Sequence, residues 1–183
     1  MITDDGASPI LMDLGSLAAS PLPITSRSLA VATQDTAAEH STMPYRAPEL
    51  FDVKTGTVVD TKVDIWSLGC TLYACLVGKS PFEARSDETG GSLSICVLGG
   101  DWRFPDEGPG GKPLARRDTA PKANARAAPT TAAAAAAAEL VIREPIKDVV
   151  RRCLKVEPAE RPDIDELIEI VERVIDELPE DDA

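Results

Sequence analysis

The residues best suited to metal or redox chemistry are few and widely spaced. They are Cys70, Cys75, Cys96, Cys153 and His40. The cysteines form no C-x-x-C pair, and a tetrahedral zinc site would need ligands from distant segments with no spacing signature, so the sequence does not favour such a site. We predict reduced thiols, with Cys70, Cys75 and Cys153 as small core residues because their neighbours are apolar.

Three short motifs each carry an acidic residue in a defined setting. In the first, an apolar run leads into Asp13 and a glycine turn, Leu11-Met12-Asp13-Leu14-Gly15. The second is Ser41-Thr42-Met43-Pro44-Tyr45-Arg46-Ala47-Pro48-Glu49, and the third is Asp64-Ile65-Trp66-Ser67-Leu68-Gly69. Arg161-Pro162 follows near the end of the chain. A turn that contains Asp and Gly is weak evidence alone, so only the order and spacing of all four pieces together are informative.

In this order the motifs resemble the second half of a eukaryotic protein kinase domain. The first is similar to the family's D-F-G, with Leu14 in place of Phe, and the second ends in the A-P-E that closes an activation segment. The third is similar to the core helix of the large lobe.

A narrower resemblance is to the Numb-associated kinase group, and within it to the small, lipid-anchored serine/threonine branch. Residues 11–16, 33–39, 45–51 and 66–74 carry this resemblance. That group has an extra helical stretch after A-P-E, and residues 50–63 are long enough to hold one.

The kinase resemblance implies a cofactor role for Asp13. In the family this carboxylate ligates Mg²⁺, a hard ion that takes oxygen ligands and bridges the phosphates of ATP. ATP and Mg²⁺ are therefore the cofactors expected of the parent enzyme, which would transfer the γ-phosphoryl group to Ser or Thr of a protein substrate. Thr42 would bond to the catalytic Asp, as is typical of Ser/Thr rather than tyrosine kinases.

The same resemblance implies structural roles. Tyr45 and Glu49 would belong to the end of the activation segment, and Glu49 would form an ion pair with Arg161 that pins the segment to the lobe. Asp64 would brace the backbone of the catalytic loop, and Trp66 would lie in the helix at the centre of the lobe.

Several parts of the family's catalytic machinery are not found in these 183 residues. No G-x-G-x-x-G precedes a strand, there is no V-A-I-K lysine, and His40 is not followed by Arg-Asp as in H-R-D. We therefore expect a fragment without the catalytic Asp, which neither binds ATP and Mg²⁺ tightly nor transfers phosphate by itself.

Two other interpretations stay open. One is a non-catalytic, kinase-like protein-interaction module, although a scaffold would not need the magnesium ligand Asp13. The other is an unrelated helical domain, which would leave Asp64 on a solvent-facing surface. Phosphorylation of the activation segment is a further hypothesis, with candidates at Ser26, Ser28, Thr33, Thr36 and Ser41.

We expect a mainly α fold, an incomplete kinase-like large lobe without the β-rich small lobe. Composition divides the chain into the first part of the lobe at 1–104, a Pro/Gly/Ala-rich low-complexity insertion at 105–138, and the second part of the lobe at 139–183.

The elements predicted in the first part are a strand over 9–12 and an irregular segment over 16–46, with one helical turn near 35–39. A helix over 64–77 is apolar almost all round, which is typical of a core helix, and Gly78 ends it. A short helix is expected over 92–98.

Two amphipathic helices are predicted in the second part. One begins at Pro145 and continues to about residue 154. Asp163 and Glu166 have capping-box spacing at the start of the other. Its apolar stripe comprises Ile164, Leu167, Ile168, Val171, Val174, Ile175 and Leu178.

The net charge of −12 disfavours binding to nucleic acid or anionic membranes. Most of the surplus lies in residues 157–183, which we interpret as a solvated helix face followed by an acidic tail. No apolar stretch is long enough to cross a bilayer, and the first residues show neither a signal-peptide nor a myristoylation pattern. We expect an intracellular, cytoplasmic protein, with membrane association only through a segment outside this sequence.

Overall fold

The computed structural model describes residues 6, 8, 10, 12, 14–108 and 142–177. Within these ranges the chain is mainly helical, as expected, with one antiparallel pair of two-residue strands. In chain order the elements are β1 (Leu22–Pro23), α1 (Arg27–His40), β2 (Val58–Val59), α2 (Lys62–Val77), α3 (Pro81–Thr89), α4 (Leu93–Gly99), α5 (Glu144–Cys153) and α6 (Ile164–Asp176). Short 3-10 turns lie at Leu14–Ser16, Met43–Tyr45, Pro48–Leu50 and Pro158–Glu160.

Helix α2 is the centre of the fold, as its apolar sequence predicts. Trp66 and Tyr73 are buried on it, and Gly78 ends it in a left-handed conformation, φ +86°, that a residue without a Cβ adopts at little cost. One face of α2 nevertheless points to solvent and includes Leu68 and Cys75. The prediction that Cys75 is a core residue is therefore wrong, because an all-apolar helix carries no periodicity that shows which face is covered.

Helix α1 corrects the prediction of an irregular segment with a single helical turn. It runs for 14 residues, and the side chain of Ser26 caps its start by accepting a hydrogen bond from the Leu29 backbone N–H at 3.2 Å. Ala30 packs with Ile24 and Val53 in a small cluster of its own. Four of its 14 residues are alanine, the strongest helix former, so the Ser, Thr and Pro residues of the surrounding segment obscured a helix that local propensity favours.

The sheet lies beside α1. Leu22 pairs with Val59 and Pro23 with Val58, while the Gly56 N–H donates to Ile24 O at 2.8 Å. Gly56 has a φ of +90°, so the chain turns at a residue that tolerates this conformation.

The extra helix considered for residues 50–63 is not present. Beyond the 3-10 turn Pro48–Leu50, this segment forms turns and strand β2, and only its last two residues belong to α2. The β-branched run Thr57-Val58-Val59 favours the extended conformation instead.

The strand predicted for residues 9–12 is also not supported where the structure describes it. Ile10 and Met12 lie in neither a strand nor a helix, and both are about half exposed. The two described strands pair only with each other. Pro9 and Leu11 lie outside the described residues.

The helix predicted for 92–98 is confirmed as α4, and α5 and α6 confirm the two amphipathic helices predicted beyond it. Pro145 lies in the first turn of α5, and Asp163 and Glu166 form a complete capping box. The stripe predicted for α6 is buried only in part. Leu167 packs against α5 and α2 and is buried, but three stripe residues are exposed and Leu178 lies outside the described residues. The exposed residues are Ile164, Ile168 and Ile175.

The main core joins α2, α3, α4 and α5 around Trp66, Tyr73, Phe82 and Phe104. A second cluster joins the start of α2 to α5 and α6 through Ile65, Val149, Cys153 and Leu167. None of the helices in the described ranges is both long and apolar enough to cross a bilayer.

Candidate functional site

The clearest link between distant parts of the chain is the ion pair between Glu49 and Arg161. Arg161 Nη1 donates to Glu49 Oε1 at 2.7 Å and Nη2 donates to Oε2 at 2.8 Å, so the contact is bidentate. Glu49 lies in the turn Pro48–Leu50, and Arg161 directly follows the turn Pro158–Glu160. The expected contact is thus present, and it joins the end of the candidate activation segment to the connection between α5 and α6.

Arg161 is only 2% exposed, and a buried guanidinium needs an acceptor for each of its five N–H groups. Besides the bonds to Glu49, Nε donates to Lys155 O at 2.7 Å, Nη1 to Lys62 O at 2.9 Å and Nη2 to Val156 O at 2.9 Å. Lys62 Nζ in turn donates to Arg161 O at 2.8 Å. All five donors are satisfied, and the start of α2 is held in the same network.

The indole of Trp66 packs beside this ion pair. The guanidinium carbon of Arg161 lies 4.9 Å from the Trp66 ring centroid, and the indole stacks on Phe82 with centroids 5.3 Å apart and ring planes within 6°. Trp66 and Phe82 are both fully buried. Because a cation–π contact is stronger when it is desolvated, the charge is stabilised by the core itself.

The backbone before Glu49 is fixed to α2 through Ser67. The Ser67 hydroxyl donates to Tyr45 O at 3.0 Å and also lies 3.1 Å from Val63 O. Burial raises the pKa of the Tyr45 hydroxyl, and the Glu83 carboxylate raises it further. Tyr45 is thus a neutral, half-buried anchor at the end of this segment.

Sequence reasoning missed the role of Arg46, which is buried next to Tyr45. Its Nε donates to Ser41 Oγ at 2.8 Å, and its Nη2 donates to Ala38 O at 3.2 Å and Ser41 O at 2.9 Å. The guanidinium also lies 5.2 Å from the centroid of Phe51. Arg46 therefore binds carbonyl groups at the C-terminal end of α1, where a cation is favoured by the helix dipole. The only sequence signal was an arginine immediately before Ala47.

The other expected site residues are not gathered around the ion pair. Thr42 is exposed, and its hydroxyl makes no hydrogen bond to any residue in the described ranges. Asp64, in the first turn of α2, is likewise exposed. Asp13 lies outside the described residues, and so do residue 11 and residues 109–141. Within the described part of the chain, no group of three His, Cys, Asp or Glu residues could hold a metal ion.

Comparison with known proteins identifies the family. The sequence model of the protein kinase domain matches residues 25–171. Serine/threonine-protein kinase ppk13 of Schizosaccharomyces pombe is 43% identical over 60% of this chain and 31% of its own length. Serine/threonine-protein kinase ENV7 of Saccharomyces cerevisiae is 29% identical over 94% of this chain and 38% of its own length. Serine/threonine-protein kinase 16 of Mus musculus is 43% identical over 53% of this chain and 32% of its own length. The chain thus spans about a third of the length of these relatives.

The exposure of Asp64 does not separate a kinase lobe from an unrelated helical domain, because both place this residue at a surface when no catalytic loop covers it. The family match does separate them, and it overturns the interpretation as an unrelated domain. The family model matches residues 25–171, which are most of the chain, so the chain belongs to the protein kinase domain family.

Proposed function

We propose that the chain is the C-terminal lobe portion of a Ser/Thr protein kinase. The observation that carries this proposal is the bidentate ion pair between Glu49 and the buried Arg161 beside Trp66, at the positions where the kinase resemblance expects it. The names of the similar kinases support Ser/Thr as the acceptor class.

The parent reaction would be attack of a protein Ser or Thr hydroxyl on the γ-phosphorus of ATP. The bond to the β,γ-bridging oxygen breaks, ADP leaves, and the hydroxyl proton passes to a catalytic carboxylate. Asp13 would hold Mg²⁺, which would supply the positive charge that neutralises the phosphates of ATP. Thr42 and Asp64 would bond to the catalytic loop, and their exposure leaves both free to do so.

We also propose that this polypeptide is inactive by itself. Phosphoryl transfer depends on positioning and charge neutralisation, and these 183 residues include neither the glycine loop, nor the V-A-I-K lysine, nor the H-R-D loop. The test is a radiometric assay of the purified chain with ATP, Mg²⁺ and a generic Ser/Thr peptide, beside calorimetric titration with ATP. We expect no transfer and no measurable heat of binding. Turnover that Asp13→Ala abolishes would show the proposal to be wrong.

The finer assignment to the Numb-associated group, in its small, lipid-anchored branch, rests on residues 11–16, 33–39, 45–51 and 66–74. Cytoplasmic location, and any contact with membranes through a lipid-anchored segment, belong to the same proposal. Fluorescence microscopy of the tagged full-length protein would test the proposed location and membrane contact. A nuclear or secreted protein would contradict them.

The alternative is a non-catalytic interaction module. Exposed apolar side chains on α6, Ile164, Ile168 and Ile175, favour it because such side chains often lie on protein-contact surfaces. Sequencing of the full-length transcript separates the two. An in-frame H-R-D and glycine loop support the kinase, and a reading frame without them supports the module.

A further inference from the structure

The two described stretches of the lobe, residues 14–108 and 142–177, share one core. Ile142, Val150 and Leu154 lie in the same buried cluster as Trp66 and Tyr73. At Gly69 the two helices approach closely, since a Cβ on this residue would lie 2.5 Å from Cys153 Cβ. Helix α5 therefore packs closely against α2, with no room for a side chain at Gly69.

A cluster of ion pairs lies at the edge of this contact. Lys147 is 3% exposed, and its Nζ lies 2.5 Å from Asp106 Oδ2, 3.3 Å from Glu144 Oε1 and 3.9 Å from Glu107 Oε1. Arg151 Nη2 donates to Glu107 Oε1 at 2.5 Å. Lys147 and Arg151 on α5 thus each meet a carboxylate from the loop that follows α4.

The loop that presents these carboxylates is itself held in place. Glu107 is 5% exposed, its N–H donates to Phe104 O at 3.0 Å, and its Oε2 accepts from the Phe104 N–H at 3.3 Å. The Phe104 ring lies 5.4 Å from Lys147 Nζ and 5.9 Å from the guanidinium carbon of Arg151. Asp106 and Glu107, which composition assigns to the low-complexity insertion, therefore take part in the contact with α5.

The ion pair between Glu49 and Arg161 crosses between the same two stretches, as does the bond from Lys62 Nζ to Arg161 O. Apolar packing, a partly buried charge cluster and this second ion pair therefore join the stretches at separate places. A covalent connection adds only effective concentration to contacts of this kind.

We infer that residues 14–108 and 142–177 are binding partners that hold together without the covalent connection through residues 109–141. The α2 face and the Phe104–Glu107 loop form the receptor surface, and α5 with the loop to Arg161 is its ligand. The cluster of Lys147, Arg151, Asp106 and Glu107 fixes the register of α5. This inference concerns assembly and is independent of the kinase activity proposed above.

The test is to place a site-specific protease sequence within residues 109–141 of the full chain, cleave it, and examine the product at low micromolar concentration. We expect the fragments to co-elute in size-exclusion chromatography and to show a 1:1 mass in native mass spectrometry, with the helical circular dichroism retained. Separation of the fragments, or loss of the helical signal on cleavage, would overturn the inference.

A matched pair of variants tests the ion-pair cluster. Arg151→Gln and Arg152→Gln remove the same charge from α5, but Arg152 is exposed and makes no ion pair within the described residues. We expect the cleaved Arg151→Gln protein to dissociate about tenfold more readily, and Arg152→Gln to match the parent within about twofold. Equal behaviour of the two would contradict the role of the cluster. If Arg151→Gln does not fold before cleavage, Asp106→Asn, which removes an exposed partner of Lys147, takes its place with the same expectation.

Discussion

Arg161 holds both carboxylate oxygens of Glu49 beside the buried indole of Trp66, although 112 residues separate the two in the sequence. The remaining donors of the guanidinium bind backbone carbonyls from α2 and from the turn after α5. One side chain therefore positions three segments at once. Loss of Glu49 would leave the buried charge of Arg161 without its carboxylate partner, which is costly.

The close approach of α5 to α2 predicts that Gly69→Ala is destabilising. The added Cβ would lie 2.5 Å from Cys153 Cβ and 3.1 Å from Leu154 Cδ2, so the helices would have to separate. We expect the free energy of unfolding to fall by about 1–3 kcal/mol in urea titrations. Gly99→Ala is the matched control, because it lies in helix α4 with open space around its Cβ position. It should be neutral or stabilising by up to about 1 kcal/mol, and equal losses for both would contradict the packing.

The contacts of Arg46 predict that it holds the C-terminal end of α1. In Arg46→Ala, the bonds to Ala38 O, Ser41 O and Ser41 Oγ are lost. Hydrogen exchange measured by mass spectrometry should then be about tenfold faster in α1 and unchanged in α2, since a hydrogen bond to a charged group contributes about 1.5–3 kcal/mol.

Arg27→Ala is the control for this prediction. Arg27 lies on the same helix, is exposed, and makes no ion pair within the described ranges. It should leave the exchange of α1 unchanged. Protection of α1 that survives Arg46→Ala would mean that packing on Ile24 and Val53 alone holds the helix.

The four cysteine thiols should differ in reactivity according to their burial. Cys75 is exposed, and Cys70, Cys96 and Cys153 are buried, so an aromatic disulfide reagent at pH 8 should label one thiol rapidly in the folded protein. Cys75→Ser should abolish that rapid phase. Rapid labelling of a second thiol in the folded state would contradict the placement of α2.

Burial also predicts a loss of stability at alkaline pH. It raises the pKa of the Cys153 thiol from 9.0 to about 11. Between pH 9 and pH 11 the thiol releases its proton in the unfolded state but retains it in the folded state. The contribution of the Cys153 thiol to the free energy of unfolding is therefore complete below pH 9 and decreases as the pH rises to 11. In urea titrations, the free energy of unfolding of Cys153→Ala should fall less steeply between pH 9 and pH 11 than that of the parent, after correction for the lower stability of the variant at pH 9. Identical slopes would contradict the assignment.

Sequence patterns predicted the elements whose stability is mainly local. The apolar run that ends at Gly78 identified α2, and the capping box at Asp163 identified the start of α6. The pair of Glu49 with Arg161 came from the resemblance, since no local pattern relates residues so far apart.

Helix α1 had local signals that were missed, its alanines and the Ser26 cap, because the surrounding Ser, Thr and Pro residues suggested a loop. The capping of α1 by Arg46 from a later segment depends on tertiary structure and is not visible in local composition. The exposed faces of α2 and α6 were missed because apolar periodicity does not show how much of a stripe is covered. Tertiary arrangement decided the exposure of Cys75 and Ile168.

A double-mutant cycle on Glu49 and Arg161 tests the central claim most directly, that their ion pair joins the turn Pro48–Leu50 to the connection between α5 and α6. Free energies of unfolding would be measured for Glu49→Gln, Arg161→Met and the double variant, with the exposed pair Asp52 and Lys54 as the control cycle. We predict a coupling energy of about 2 kcal/mol or more for Glu49 with Arg161, against less than about 0.5 kcal/mol for the control. A coupling energy as small as that of the exposed pair would contradict the account.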